Sequence, residues 1–77
     1  MQKFGRIVIK VEEKIKEKGF SKNRFTQEAR MEHTQLNKFC KNELTLLDTD
    51  VLARICTVLE CEIGDILEFI PPSEEEK

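Results

Sequence analysis

The chain has no tryptophan and no tyrosine, one histidine, two prolines and three glycines among its 77 residues. Five phenylalanines are therefore the only large aromatics, and any core must combine them with aliphatic side chains. So little glycine and proline excludes a collagen-like or low-complexity chain, and no glycine-rich phosphate loop can be placed. Apolar runs never approach transmembrane length, and the short ones are too broken by charge for a signal peptide, so the expected address is the cytoplasm, with no membrane partner. Cysteine is sparse and odd in number. Cys40, Cys56 and Cys61 lie inside apolar patterns, and His33 is not spaced to complete a metal site with them. Buried thiols in a reducing compartment are expected, with no metal and no cofactor. No Ser-His-acid or Cys-His pairing can be assembled into a pocket, which argues against an enzyme.

What is present is a balance of 39% hydrophobic and 36% charged residues, suited to one small folded domain. The formal net charge is only -2, but it is unevenly spread. Residues 1–44 carry eleven Lys/Arg against six Glu, a formal +5. Residues 45–77 carry two Lys/Arg against nine Asp/Glu, a formal -7. One half can approach a phosphate backbone while the other turns away or meets a partner.

Along the chain, the β-branched run Arg6 to Val11 predicts a short strand, followed by a helix over Glu12 to Lys18 that stops at Gly19. Val11 and Ile15 are spaced to face a core. Ser21 is a good N-cap for a second helix, whose Phe25 and Ala29 share one face. Leu36, Phe39 and Cys40 give a third helix its apolar stripe, and Asn42 can end that helix in a left-handed conformation. Glu43 to Leu47 is a loop rich enough in leucine that part of it must pack down. Asp48 caps a fourth helix with Leu52, Ile55, Cys56 and Leu59 as its inner stripe. Cys61, Ile63, Ile66 and Leu67 suggest a brief fifth helix. Glu68 to Ile70 reads as extended, and Pro71-Pro72 ends regular structure. The segments around Ile7 to Ile9 and Phe69 to Ile70 can pair as an antiparallel ribbon, whose exposed edges would offer a dimer surface. The organisation is thus a domain over 1–72 and a disordered acidic tail over 73–77.

With these elements placed, the pattern resembles the Cro and phage-repressor helix-turn-helix family, also called the XRE family, in its small single-domain members. The family's Ser-Lys-Asn followed by a hydrophobic-Ala pair falls on Ser21-Lys22-Asn23 and Phe25-Thr26, and its Gly-hydrophobic-Ser turn on Arg30-Met31-Glu32. Its buried aliphatic in the recognition helix falls on Leu36, and its following Asn-Gly on Lys41-Asn42. Asp48, Leu52, Ile55-Cys56 and Leu59 match its capped fourth helix. The stretch Ile63-Gly64-Asp65-Ile66-Leu67-Glu68-Phe69-Ile70-Pro71 matches its closing pattern. The resemblance implies an all-α, five-helix, lambda-repressor-like DNA-binding domain with room for a two-stranded ribbon of the terminal segments. Three positions depart from the family. Thr26 replaces a small alanine where two helices approach, which is tolerable if its hydroxyl bonds backward within the helix. Arg30 replaces the turn glycine, where a positive φ would cost about 1 kcal/mol. Glu32 places negative charge where the family often has a hydroxyl or a base.

The function implied is a sequence-specific transcriptional regulator that inserts its third helix into the major groove of double-stranded DNA. It would act as a homodimer on a palindromic operator. His33, Thr34, Asn37 and Lys38 are the base-reading candidates. Lys38 suits guanine O6 and N7, and Thr34 suits a thymine methyl. Lys22, Arg24, Gln35, Lys41 and Asn42 are the backbone-contacting candidates. The alternative is a protein-interaction module or antagonist on the same scaffold, suggested by the acidic second half, Glu32 and the Leu44 to Leu47 segment.

Overall fold

The computed structural model describes residues 4–72; the acidic tail expected over 73–77 lies outside them. The element order is β1 (Arg6–Ile9), α1 (Val11–Glu17), α2 (Lys22–Ala29), α3 (His33–Cys40), α4 (Thr49–Leu59), α5 (Ile63–Ile66) and β2 (Leu67–Ile70). Five helices enclose one core, and the two terminal segments close beside them as an antiparallel ribbon. The strand expected over Arg6 to Val11 is shorter, because Val11 already opens α1 and is fully buried there. Leu67, expected in the fifth helix, instead begins β2.

The core follows from helical spacing. Val11 and Ile15 of α1, Phe25 and Ala29 of α2, Leu36 and Phe39 of α3, and Val51, Ile55 and Leu59 of α4 are all buried, together with Ile9, Met31 and Ile66. Apart from Ala29, each such side chain contributes on the order of 1.5–3 kcal/mol on leaving water. Val51 is a position the sequence reading passed over. Leu52 and Cys56, expected in the inner stripe of α4, are only half-buried, since the stripe runs through residues four apart rather than three.

Every one of the first four helices ends in the same way. Gly19, Arg30, Asn42 and Glu60 adopt φ values of 80°, 55°, 58° and 52°. The residue after each donates its N–H back to a carbonyl five positions earlier: Phe20 to Ile15 at 3.0 Å, Met31 to Thr26 at 2.9 Å, Glu43 to Lys38 at 3.1 Å and Cys61 to Cys56 at 3.1 Å. These are Schellman terminations, which satisfy the orphan carbonyls of a helix end and reverse the chain within two residues. Only the first uses glycine. Arg30 takes the positive φ expected where the family has glycine, and Glu60 carries a similar strain.

At the helix starts, the Ser21 hydroxyl accepts from the Arg24 N–H at 3.1 Å and the Asp48 carboxylate from the Asp50 N–H at 2.8 Å. Glu32, by contrast, makes no side-chain cap bond at the start of α3.

The ribbon pairs Ile7 with Phe69 and Ile9 with Leu67. It is fastened to the helices by Asn42. The side-chain amide of Asn42 accepts from the Ile9 N–H at 2.5 Å and donates to the Ile9 carbonyl at 3.1 Å. A side-chain amide here occupies the place that the peptide group of a neighbouring strand would take. A salt bridge of 3.5 Å between Lys10 and Glu68 ties β2 to the start of α1. At the ribbon's open end, a Cβ on Gly5 would collide with the Ile70 carbonyl, which explains a glycine there.

Two substitutions test this scheme. Asn42→Ala leaves a half-buried Ile9 amide pair without its partner and is expected to destabilise the chain by about 1–3 kcal/mol in urea unfolding. Glu60→Gly relieves the left-handed strain and is expected to stabilise it by roughly 0.5–1 kcal/mol. A lower midpoint for the glycine variant would show that the positive φ is not strained.

Candidate nucleic-acid interface

The helix pair α2 and α3 is joined by Arg30, Met31 and Glu32. Met31 is buried and pins the turn to the core, while Arg30 and Glu32 remain exposed. Phe25 and Leu36, both wholly buried, hold the two helices to the same core. A residue from outside the pair holds the end of the first and the turn. Arg54 of α4 reaches across and donates Nη1 to the Ala29 carbonyl at 3.2 Å and to the Arg30 carbonyl at 2.7 Å. Its Nε lies 3.4 Å from the Asp50 carboxylate. Arg54 thus ties the end of α2 and the turn to α4 with a charged donor, a contact the sequence reading missed. The available signal was a single basic residue in an otherwise uncharged inner stretch of that helix.

At 3.6 residues per turn, His33, Asn37, Lys41, Thr34 and Lys38 fall within about 140° of the α3 circumference. Leu36 and Phe39 occupy the opposite, buried side. His33, Thr34, Lys38 and Lys41 are exposed and Asn37 is half-buried. No acidic side chain interrupts this face. Gln35 sits at its edge, half-buried.

His33 does more than face outward. Its Nε2 lies 3.2 Å from Asn23 Oδ1 and 3.5 Å from Thr26 Oγ1. The Thr26 hydroxyl donates to the Asn23 carbonyl at 2.8 Å, the backward bond that makes threonine tolerable at this position. Both neighbours are therefore acceptors toward Nε2, which carries the proton in this arrangement. Asn23 and Thr26, on α2, orient the first residue of α3; neither was singled out as a site residue.

The backbone-contact candidates divide. Lys22, at the start of α2, is exposed and paired with Glu12 at 3.6 Å. Lys22 and Lys16 also lie near the Cys40 thiol at the end of α3; burial, the largest influence, pushes that thiol above its ordinary range while the two cations act against it. Lys41 is exposed beside the same helix end. Arg24 is engaged along its own helix, with Nε 2.8 Å from Glu28 and its guanidinium 4.8 Å from the centre of the Phe20 ring. Asn42 requires a correction, because its amide is committed to Ile9 and is not free to meet a phosphate in this conformation. The three thiols, expected to be buried, are all half-buried. Among the described residues, no group of three or more His, Cys, Asp or Glu is arranged to hold a metal ion. Nor is any of their helices long and apolar enough to cross a membrane.

Two helices locked at a left-handed turn, the second presenting an unbroken polar and basic face, define a helix-turn-helix domain. A family model described as the Cro/C1-type HTH DNA-binding domain matches residues 10–72, and the chain belongs to that family. This is a DNA-binding family and not a catalytic one, in keeping with the expectation that the chain is not an enzyme. No curated protein matches the chain.

The role given to Arg54 is open to direct measurement. Arg54→Met is expected to destabilise the fold by about 1–2 kcal/mol in urea unfolding, since two carbonyls at the end of α2 lose a charged donor. Arg54→Lys, which lacks the forked guanidinium, should recover only part of the loss. An unchanged midpoint for both would remove Arg54 from the account of the turn.

Proposed function

We propose that the chain is a sequence-specific transcriptional regulator that places α3 in the major groove of double-stranded DNA as a homodimer. The observation that carries this reading is the α3 face itself: five polar or basic residues on one side, none acidic, on a helix whose other side is buried. The N-terminal part of a recognition helix lies nearest the base edges. His33, Thr34, Asn37 and Lys38 would read bases, with Lys38 donating to guanine and Thr34 meeting a thymine methyl. Lys22, Lys41 and, at the margin of the face, Gln35 would meet phosphates. Arg24 would join them only by leaving Glu28.

Dimerisation is supported by the ribbon. Ile7 and Phe69 face each other across it while remaining 53% and 60% exposed. With Leu47, Ile63 and Leu67 they line an open, almost wholly apolar groove of about 350 Å³. A second copy would cover the same patch on its partner, as an isologous contact requires, and would supply the two-fold axis that a palindromic operator matches. The alternative is a protein-interaction module or antagonist. It is favoured by Leu46, which stands 88% exposed on the loop before α4.

Three outcomes are expected. Lys38→Ala should relax sequence preference and weaken specific binding by about 1–3 kcal/mol, whereas Lys22→Ala should weaken binding to all duplexes and reduce the salt slope by about 1. Equal losses on specific and random duplex for Lys38→Ala would remove it from base reading. Phe69→Glu should turn a dimer into a monomer in sedimentation at high micromolar concentration, and a wild-type chain that is already monomeric there would contradict the dimer. If random duplex at low salt fails to bind even at about 100 μM protein, the weak end of the usual non-specific range, the interaction module is the better reading.

A further inference from the structure

The end of α4 brings two thiols together by backbone geometry. In a Schellman termination, the residue that accepts the long hydrogen bond and the residue that donates it also bring their side chains into contact. In α1 these positions hold Ile15 and Phe20, and in α2 Thr26 and Met31, both apolar or largely so. In α3 they hold Lys38 and Glu43, of opposite charge. In α4 they hold Cys56 and Cys61, with the Cys61 N–H 3.1 Å from the Cys56 carbonyl. Both cysteines are half-buried against the core and neither is in a disulfide. The turn between them is held from both sides: Glu60 is left-handed, and at the next helix start the Glu62 N–H donates to the Asp65 carboxylate at 2.9 Å.

We propose that Cys56 and Cys61 are a dithiol site that closes reversibly to an intramolecular disulfide on meeting a low-molecular-weight disulfide. The thiolate of one cysteine attacks a sulfur of the small disulfide, forming a mixed disulfide and releasing one small thiolate, which takes up a proton. The thiolate of the second cysteine then attacks the protein-bound sulfur, completing the Cys56–Cys61 bond and releasing the second small thiol. Two protein thiols are oxidised by two electrons and one small disulfide is reduced to two thiols. Because the backbone bond from Cys61 to Cys56 already sets the two residues side by side, the second step needs no rearrangement of the fold. Burial, the largest influence, with the neighbouring Cys56 and Asp65 adding to it, pushes the Cys61 thiol above its ordinary range. Cys61 therefore rests as a thiol near neutral pH, and closure speeds up as pH rises. Cys40 is set apart on α3 among Lys22, Glu12 and Lys16, with no cysteine beside it.

The test uses the full chain with oxidised glutathione as the probe, followed by mass spectrometry of the intact protein and of its tryptic peptides. Trypsin leaves Cys56 and Cys61 together in the peptide 55–77 and Cys40 in the peptide 39–41, so the pair and the single thiol are read separately. The 55–77 peptide should lose two hydrogens and carry no glutathione, and dithiothreitol should restore it. Cys56→Ser and Cys61→Ser should each instead retain one glutathione on that peptide. At a fixed ratio of oxidised to reduced glutathione, the disulfide-to-dithiol ratio should be at least about tenfold higher in the folded chain than in urea. A stable glutathione adduct on the wild-type 55–77 peptide, or no change there, would overturn the proposal. Equal closure in folded and unfolded chains would overturn it too, by showing that the helix end does not organise the pair.

Discussion

The left-handed residue at each helix end is the constraint on which the rest of this small domain depends. Four helices must reverse direction within a few residues to enclose one core, and each does so by placing a single residue at positive φ. Gly19 does this without a side chain in the way, and Asn42 is a residue type that tolerates it. Arg30 and Glu60 hold the same conformation against the steric preference of an L residue. What holds them there is the packing of their neighbours on the core, Ala29 and Met31 buried around Arg30, and Leu59 buried and Cys61 half-buried around Glu60. Arg54 adds its bonds to the carbonyls at the first of these turns.

From that constraint the candidate interface follows. Turning the chain sharply after Ala29 lets α3 bury Leu36 and Phe39 while its other side faces outward. Turning it again at Asn42 brings a side-chain amide against Ile9, which fastens the ribbon to the same helix that carries the polar face. Helix orientation and ribbon position are therefore coupled through one residue. The ribbon in turn presents Ile7 and Phe69, the apolar patch on which a two-fold partner would sit. The basic first half of the chain supplies α2 and α3, and the acidic residues concentrate in the half that follows.

Much of this was legible in the sequence because it depends on local chemistry. Ser21 and Asp48 announce helix starts, Gly19 and Asn42 announce helix ends, and residues four apart announce buried faces. The terminal ribbon was legible because two β-branched or aromatic segments had no other partner. The parts that escaped depend on tertiary position. Nothing local says that Arg54 reaches a turn 24 residues earlier in sequence. Nothing local says that the Asn42 amide bonds a strand 33 residues away instead of pointing outward. His33 reads from sequence as a free ring, and only the packing of α2 on α3 gives Nε2 two acceptors. The three cysteines fit an apolar pattern, yet the pattern overstated their burial, because Cys40 and Cys56 lie at the margin of their helices' inner stripes and Cys61 lies in the turn between α4 and α5.

Titration of the isotopically labelled chain with duplex DNA at low salt, followed through its backbone amide resonances, tests the central claim most directly. If α3 is the contacting element, the largest changes fall on His33, Thr34, Asn37, Lys38 and Lys41 and at the start of α2. Changes confined to β1, β2 and the loop around Leu46, or no change at all, would contradict it.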